Sequence, residues 1–529
     1  MDYPQEAVSK EKKEAYDLEK STITALTQAT GGVEDVNLAS LGLRGEAVRD
    51  IGLLAIIAAG WNICVSWAGI SATLALSIMS GGSVTLLYGV IVIFVTVGCS
   101  ALSLAEMSSV WPTAGGQYHW TNILAPKAWS RSLSYWCGSA NLFGWIATSA
   151  GVAIIPPQLI AAIVISYDPS YVVERWHIFL MFQALNVSFT LYNIFLLKRA
   201  AWIHDVGFVI GLVGFFVIFI TCLVRSPTKQ SSEFVWATFQ NNSGWSSDGV
   251  VFLTGLVNAN YIYSGVDGAI HLAEECKNAA RAVPQALMST IIIGFVTSFA
   301  FVVGMVYSMQ DFEAVLNTPT GVPIYELWIQ ATRSRGIATF FLVILISCGF
   351  FALIGCLQTA SRLCYSLARD NGLVGAIYLC KIHPRLGVPM WALLANSAVV
   401  FAIGCVYLGS TTAFNAMIGT GLILQQLSYA FPAALLMYQR RASKYLPADR
   451  FFRLGNLFGW TANAVTVAFA FLVLVFFCFP TVMPVTAGNM NYASVVLGAM
   501  AIFATANWIG YARARYEGPR LPDELVVRE

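Results

Sequence analysis

An all-α integral membrane protein of twelve transmembrane helices is the fold class this sequence predicts, and three observations predict it. Hydrophobic residues fill 57% of the 529 positions and charged residues 11%, where a soluble globular chain carries roughly 25% charged. Uncharged runs recur at lengths that can cross a bilayer. The Lys and Arg residues fall almost wholly on one side of those runs.

Crossing an apolar layer of about 30 Å takes roughly 20 uncharged helical residues, because every backbone polar group must be satisfied within the segment. Residues 51–105, 386–439 and 454–512 lack Asp, Glu, Lys and Arg, and each is long enough for a hairpin of two helices. Gly81-Gly82-Ser83 marks the turn of the first. Single spans are expected over 132–167, 176–197, 206–224, 249–266, 282–310 and 336–361. Three pairs and six singles give twelve.

Residues 1–49 are polar and charged and lack an apolar core followed by a cleavage site, so no signal peptide is expected and span 1 directs insertion. An even count puts both termini on one face. Placing them in the cytosol leaves Arg175, Arg225, Lys229, Arg333 and Arg335 outside and Arg362 within a span, with the other 24 of 30 Lys and Arg cytosolic, as the positive-inside rule requires. The expected organisation is a cytosolic tail (1–49), a five-helix repeat (50–225), an extracellular loop (226–248), a second five-helix repeat (249–439), helices 11 and 12 (440–512) and a cytosolic tail (513–529). Lys10, Lys12, Lys13 and Lys20 are candidate regulatory targets in a tail that otherwise reads as solvated and featureless.

Several function classes are disfavoured. A net charge of +2 suggests neither nucleic acid nor an acidic partner. The 11 cysteines are scattered without a CxxC pair, so neither a disulfide framework nor a zinc site is indicated. No cofactor motif is present. A membrane enzyme lacks HExxH, and an ATP-driven pump lacks any Gly-Lys for a P-loop. A passive channel remains open on span count, and a secondary transporter has positive support in the helix breaks.

Read as two sets of five spans, the chain interrupts the first span of each set. "WNICVSWAGIS", residues 61–71, mixes Asn62, Ser66, Gly69 and Ser71 with two tryptophans. "YSGVDG", residues 263–268, poorly favours a continuous helix, since a glycine in a helix interior costs about 1 kcal/mol relative to alanine. An odd number of spans per set inverts the second, which is how secondary transporters place a binding site at mid-membrane. Small residues also serve ordinary helix packing, so each break alone has a structural reading.

Three motifs carry a resemblance: "SLAEMSSVWPTAGGQYHW" at 103–120, "GVDGAIHLAEECKNAARAVPQAL" at 265–287 and "ASRLCYSLARDNGL" at 360–373. Together they resemble the amino acid/polyamine/organocation permease superfamily, and within it the fungal amino acid/choline transporter family, which includes choline and GABA permeases. "RWHIF" at 175–179, "NNSGW" at 241–245 and "FPTVMPVTAGNMNY" at 479–492 are similar to the choline permeases in particular. The likeness covers roughly residues 40–512. It implies a 5+5 inverted repeat with broken helices 1 and 6, two peripheral helices, and proton-driven import of choline or an amino acid by alternating access, at the plasma membrane or an internal one. The substrate site implied between the two breaks matches Ser66, Trp67, Ala68 and Gly69 with Tyr261, Tyr263, Ser264, Gly265 and Asp267. Where amino acid permeases commonly carry Gly-Ser-Gly in helix 1, this chain reads Ser66-Trp67-Ala68-Gly69. His204 and Asp205 fall near a position where some relatives carry a proton-linked lysine, and no lysine occurs here.

A quaternary ammonium has no hydrogen-bond donor, so aromatic faces would hold it, each contributing up to about 2 kcal/mol when dry. Trp61, Trp67, Tyr261 and Tyr263 are the candidates, with core packing as the alternative for each. Asp267 has three readings: partner of a cationic group, carrier of the coupling proton, or N-cap of the helix after the break. His271, one helical turn on, is a proton-relay candidate or a structural histidine. Glu274 and Glu275 belong near the cytosolic mouth as gate or pairing residues. Glu106 is expected to latch that gate by pairing with Arg362 or Arg369.

Asn241-Asn242-Ser243 is an N-glycosylation sequon in the loop predicted to be extracellular. Treating the protein, made in a cell that glycosylates, with an endoglycosidase should shift its mass, and Asn241→Gln should abolish the shift; an unshifted wild-type band would remove this expectation.

Overall fold

Eleven helices long and apolar enough to cross a membrane form from the uncharged runs in this computed structural model, which describes residues 49–518 apart from residues 199 and 201. Lys10, Lys12, Lys13, Lys20 and most of both predicted tails lie outside the described residues. Span 1 is Leu53–Ala72, span 2 Gly82–Val110, span 3 Ser130–Tyr167, span 4 Arg175–Phe195 and span 5 Ile203–Arg225. Span 7 is Ala279–Ser308, span 8 Arg335–Arg369, span 9 Met390–Gly409, span 10 Thr411–Tyr438, span 11 Asn456–Phe476 and span 12 Ala493–Arg515. The sixth run folds in pieces: a helix over Asp248–Asn260, a 3-10 turn over Tyr261–Tyr263, a helix over Gly268–His271 and a second turn over Ala273–Glu275. These make span 6.

Span 1 is broken as well. Its helices Leu53–Cys64 and Ser66–Ala72 are parted at Val65, which sits at φ 29° and ψ 64°, a conformation a β-branched residue rarely adopts. Bonds between the two breaks hold it there. The Ser66 hydroxyl donates to the Ile262 carbonyl at 2.9 Å, and the Cys64 thiol donates to the Ser264 carbonyl at 3.5 Å.

Corresponding spans of the two sets pack on each other, 2 with 7, 3 with 8 and 4 with 9. Span 12 is the outermost, with 11% of its apolar window buried, whereas span 11 reaches 39%, the same as spans 4 and 9, because spans 2 and 10 brace it. Span 5 meets span 1 along a glycine stripe. A Cβ at Gly207 would strike Phe351 and Asn62, one at Gly211 the Trp61 ring, and one at Gly214 Ile344. Small residues of this kind let membrane helices approach closely without a hydrophobic driving force. His204 sits in the same seam, with Nε2 3.1 Å from Gln358 Oε1 of span 8 and its carbonyl accepting from Asn62 Nδ2 at 2.6 Å.

On the face where the described residues begin, ion pairs close the bundle. Glu274 takes a two-pronged contact from Arg369, at 2.9 and 3.0 Å, and Glu275 meets Arg362 at 2.7 Å. The chain before span 1 is zipped onto the same corner: Ile51 N donates to Glu275 O at 3.1 Å and Lys277 N to Ile51 O at 3.0 Å. Glu106 does not reach Arg362 or Arg369, contrary to the expected latch. It pairs with Arg441 at 2.5 Å and Arg450 at 2.7 Å, since the end of span 2 lies against the segment leading into span 11 while the span 8 arginines face span 6. Nearby, Asp370 accepts from Tyr118 at 2.8 Å and lies 2.9 Å from His119 Nε2.

On the opposite face the strand Ser80–Gly81 pairs antiparallel with Gln240–Asn241. Asn241 of the sequon is exposed there, and its Oδ1 accepts from Ser243 Oγ at 2.8 Å.

Removing one partner of a buried pair leaves an uncompensated charge that costs about 3–5 kcal/mol. Arg369→Ala should therefore lower the melting temperature of the purified protein clearly, and the exchange Glu274→Arg with Arg369→Glu should recover part of the loss. A double-mutant cycle without coupling between the two positions would contradict this.

Candidate functional site

The two breaks lie side by side because each supplies polar groups that the other satisfies, and a cavity of about 80 Å³ opens beside them. Its wall comes from Cys64, Val65, Ala68 and Gly69 of span 1, Tyr261 and Ser264 of span 6, Thr148 of span 3, Cys348 of span 8 and Ile418 of span 10. Among the described residues no charged side chain lines it. The wall is nevertheless electronegative in places. The site of a Cβ on Gly69 would be 3.1 Å from the Tyr261 carbonyl oxygen and 3.5 Å from that of Cys64, so two carbonyls from the helix breaks stand at the wall.

Thr73, Tyr261 and Ile418 are shared with a larger vestibule of about 390 Å³ on the far side from the Glu274 and Glu275 ion pairs. Tyr261 thus stands between the two spaces. On the other side the ion pairs of Glu274 and Glu275 close the way.

Of the residues predicted for the site, Ala68, Gly69, Tyr261 and Ser264 line the cavity. Ser66 instead spends its hydroxyl on span 6. Trp67 turns away: its indole donates to Gly211 O at 3.0 Å and packs at 5.4 Å from Phe301. Trp61 also faces span 5, edge-on to Phe208. The Tyr263 hydroxyl donates to Ile291 O of span 7 at 2.9 Å. The physical reason is common to the three rings: neighbouring helical positions differ by about 100° in direction, and these positions face the span 1–5 and 6–7 seams, where glycines such as Gly211 and Gly294 leave room for Trp61 and Tyr263.

Gly265 and Asp267 sit behind the wall. Gly265 has φ 79°, and a Cβ there would strike Ile63 and Trp145 at 2.8 Å, so the break needs glycine for both conformation and space. Its amide donates to Gln425 Oε1 of span 10 at 3.1 Å, and Gln425 Nε2 donates to Thr148 Oγ1 at 3.1 Å.

Asp267 is fully buried at 0% exposure. It stands at the N-cap position of Gly268–His271, yet its side chain makes no capping bond. The carboxylate instead accepts from Tyr429 of span 10 at 2.7 Å, from Gln117 at 2.7 Å and from the Trp145 indole of span 3 at 3.3 Å. His271 Nε2 lies 3.1 Å from its Oδ2.

The tautomer follows from His271 Nδ1, which is 2.7 Å from the Ala114 carbonyl. A carbonyl can only accept, so Nδ1 carries a hydrogen. Nε2 then has two neighbours of opposite demand. With a proton it donates to Asp267; without one it can accept from Asn141 Nδ2 at 3.3 Å, an amide that also donates to Gln117 Oε1 at 3.2 Å. The cluster thus offers His271 Nε2 an acceptor in Asp267 and a donor in Asn141.

Gln117, Asn141, Trp145, Thr148, Gln425 and Tyr429 escaped the sequence reading. The available signal was polarity within uncharged runs, as in "LILQQLSYAF" of span 10. Among the described residues no group of three His, Cys, Asp or Glu is placed to hold a metal.

The amino acid permease family model matches residues 51–501. A choline transporter of Saccharomyces cerevisiae is 36% identical over 87% of this chain and 81% of its own length. The 7-keto 8-aminopelargonic acid transporter of the same yeast is 28% identical over 83% of this chain and 88% of its own, and an amino-acid permease of Arabidopsis thaliana is 28% identical over 92% and 96%. With the family model spanning most of the chain and two broken spans enclosing the central cavity, this protein belongs to the amino acid permease family of multi-pass membrane transporters.

Proposed function

We propose that the protein imports a small organic cation of the choline type, with both termini in the cytosol of a cell whose plasma membrane it occupies, and that import is driven by protons. One observation carries the substrate reading. The cavity between the breaks is walled by aliphatic and thiol groups, the Tyr261 ring and the carbonyls of Cys64 and Tyr261, with no charged side chain among the described residues. A zwitterionic amino acid would bring a carboxylate needing donors or a cation. A quaternary ammonium needs only an electronegative, largely apolar surround, which carbonyls and an aromatic face supply. The choline transporter relative supports the same class.

The coupling reading rests on Asp267 and His271. An ionisable pair buried inside a membrane protein is a functional candidate by default, and this one has both a donor and an acceptor arrangement open to it at His271 Nε2. The ion pairs at Glu274 and Glu275 act as the inner gate in this scheme, and the vestibule under Tyr261 is the entry. Transport fits this arrangement better than catalysis, because the carboxylate and imidazole lie behind the cavity wall, out of reach of a substrate's bonds.

Purified protein in vesicles is expected to concentrate labelled choline when an inward proton gradient is imposed, and a protonophore should abolish the accumulation. Accumulation indifferent to the protonophore would remove proton coupling. Asp267→Asn cannot hold the proton, so it should cut gradient-driven accumulation by at least about tenfold while choline-for-choline exchange continues. Loss of both activities together in a folded variant would return Asp267 to a structural role.

A further inference from the structure

We infer that Gln425 of span 10 is the residue that sets this transporter against carboxylate-bearing substrates, an inference that rests on the organic-cation reading of the cavity. The helix break in span 6 leaves backbone amides without helical partners, and such amides are natural donors to a carboxylate. Here the amide at the apex of the break is taken. Gly265 N donates to Gln425 Oε1 at 3.1 Å, and the flanking amides are turned inward: Ser264 N donates to Tyr261 O at 3.3 Å and Val266 N to Tyr263 O at 3.1 Å.

Gln425 is held so that it cannot release the amide cheaply. It is 1% exposed. Its other end donates to Thr148 Oγ1 at 3.1 Å, and Thr148 lines the cavity. Two glycines fix the seam around this bridge: a Cβ at Gly144 of span 3 would meet Gln425 Cγ at 3.3 Å, and one at Gly421 of span 10 would meet Thr148 Oγ1 at 3.0 Å. Spans 3 and 10 therefore close on the bridge with no slack. The bridge has a second consequence at the wall. Thr148 receives a hydrogen bond from Gln425, so its own hydroxyl hydrogen points away from that amide and can be offered to a substrate oxygen. A substrate hydroxyl fits such a donor; a carboxylate would find the amide at the span 6 apex taken and no cation in the wall, and each hydrogen bond it forgoes is costly in a dry site.

Gln425 acts through the Gly265 amide and Thr148, as a positioning residue for selectivity. Choline and glycine betaine make the matched test, sharing a trimethylammonium and differing in hydroxymethyl against carboxylate. The quantity to measure is the ratio of choline to betaine uptake by the full-length protein in vesicles. In Gln425→Ala the amide and the adjoining space become available, and the ratio should fall by about tenfold to a hundredfold, the scale of one hydrogen bond to a charged group. Gln425→Glu keeps an acceptor for the amide and adds a carboxylate beside the cavity, so the ratio should rise. A purely structural residue would not move the ratio in opposite directions. Ratios equal to wild type in both variants, or a Gln425→Glu variant that accepts betaine as readily as choline, overturn the assignment even if choline uptake is intact. Should Gln425→Ala fail to fold, the shift in Gln425→Glu alone decides. Failure of the wild type to take up choline would be a different result, removing the cation reading and this inference with it.

Discussion

A carboxylate sealed from water governs the centre of this protein. Asp267 at 0% exposure carries a desolvation cost of several kcal/mol unless its oxygens are hydrogen-bonded or it shares a proton. Its partners come from three directions: Tyr429 on span 10, Trp145 on span 3 and Gln117 on the short helix after span 2. Satisfying one group therefore fixes how three elements meet the broken span 6. The glycines at 265 and 268 follow from it, since a Cβ at either would collide with Ile63 or Trp145. So does the character of the cavity. With the charge and its donors committed behind the break, what remains on the open side is carbonyl, thiol, hydroxyl and ring.

The sequence displayed the spans, the face bearing the basic residues and the break in span 6, because a membrane enforces simple rules: enough uncharged residues to cross, and charge or glycine only with a reason. It did not display direction. Trp67 and Ala68 are adjacent in the chain, yet one packs into the seam with span 5 and the other lines the cavity. Tyr261 and Tyr263 divide in the same way. Their orientations depend on the angle at which each helix restarts after its break, and Val65 at φ 29° sets that angle through bonds to span 6 that no local pattern encodes. Glu106 illustrates a related limit. Charge placement put it on the same face as Arg362 and Arg369, but the choice among arginines on one face is made by which spans are neighbours. Gln117, Gln425 and Tyr429 were visible as polar residues in apolar surroundings; that they converge on one short stretch of span 6 is a property of the three-dimensional packing alone.

The loop "PTAGGQ", residues 112–117, joins the two halves of the mechanism. Ala114 accepts from His271 Nδ1 through its carbonyl, at 2.7 Å, and donates through its amide to Glu274 Oε1, at 3.1 Å. One residue thus touches His271 of the Asp267–His271 pair on one side and the Glu274–Arg369 ion pair on the other. Gly116 makes the approach possible, with φ 51° and no room for a Cβ against Ile270. The next residue, Gln117, returns to Asp267 itself. Under the proposed coupling, a proton leaving the pair moves His271 Nε2 from Asp267 toward Asn141, and rotation of that ring pulls on the Ala114 carbonyl. The Glu274 carboxylate then loses the geometry of its amide donor, while Arg369 alone must hold the gate. Because the loop is bonded at both ends, the gate and the Asp267–His271 pair cannot relax independently, and under that proposal this mechanical constraint is what moving a proton and a substrate inward together requires.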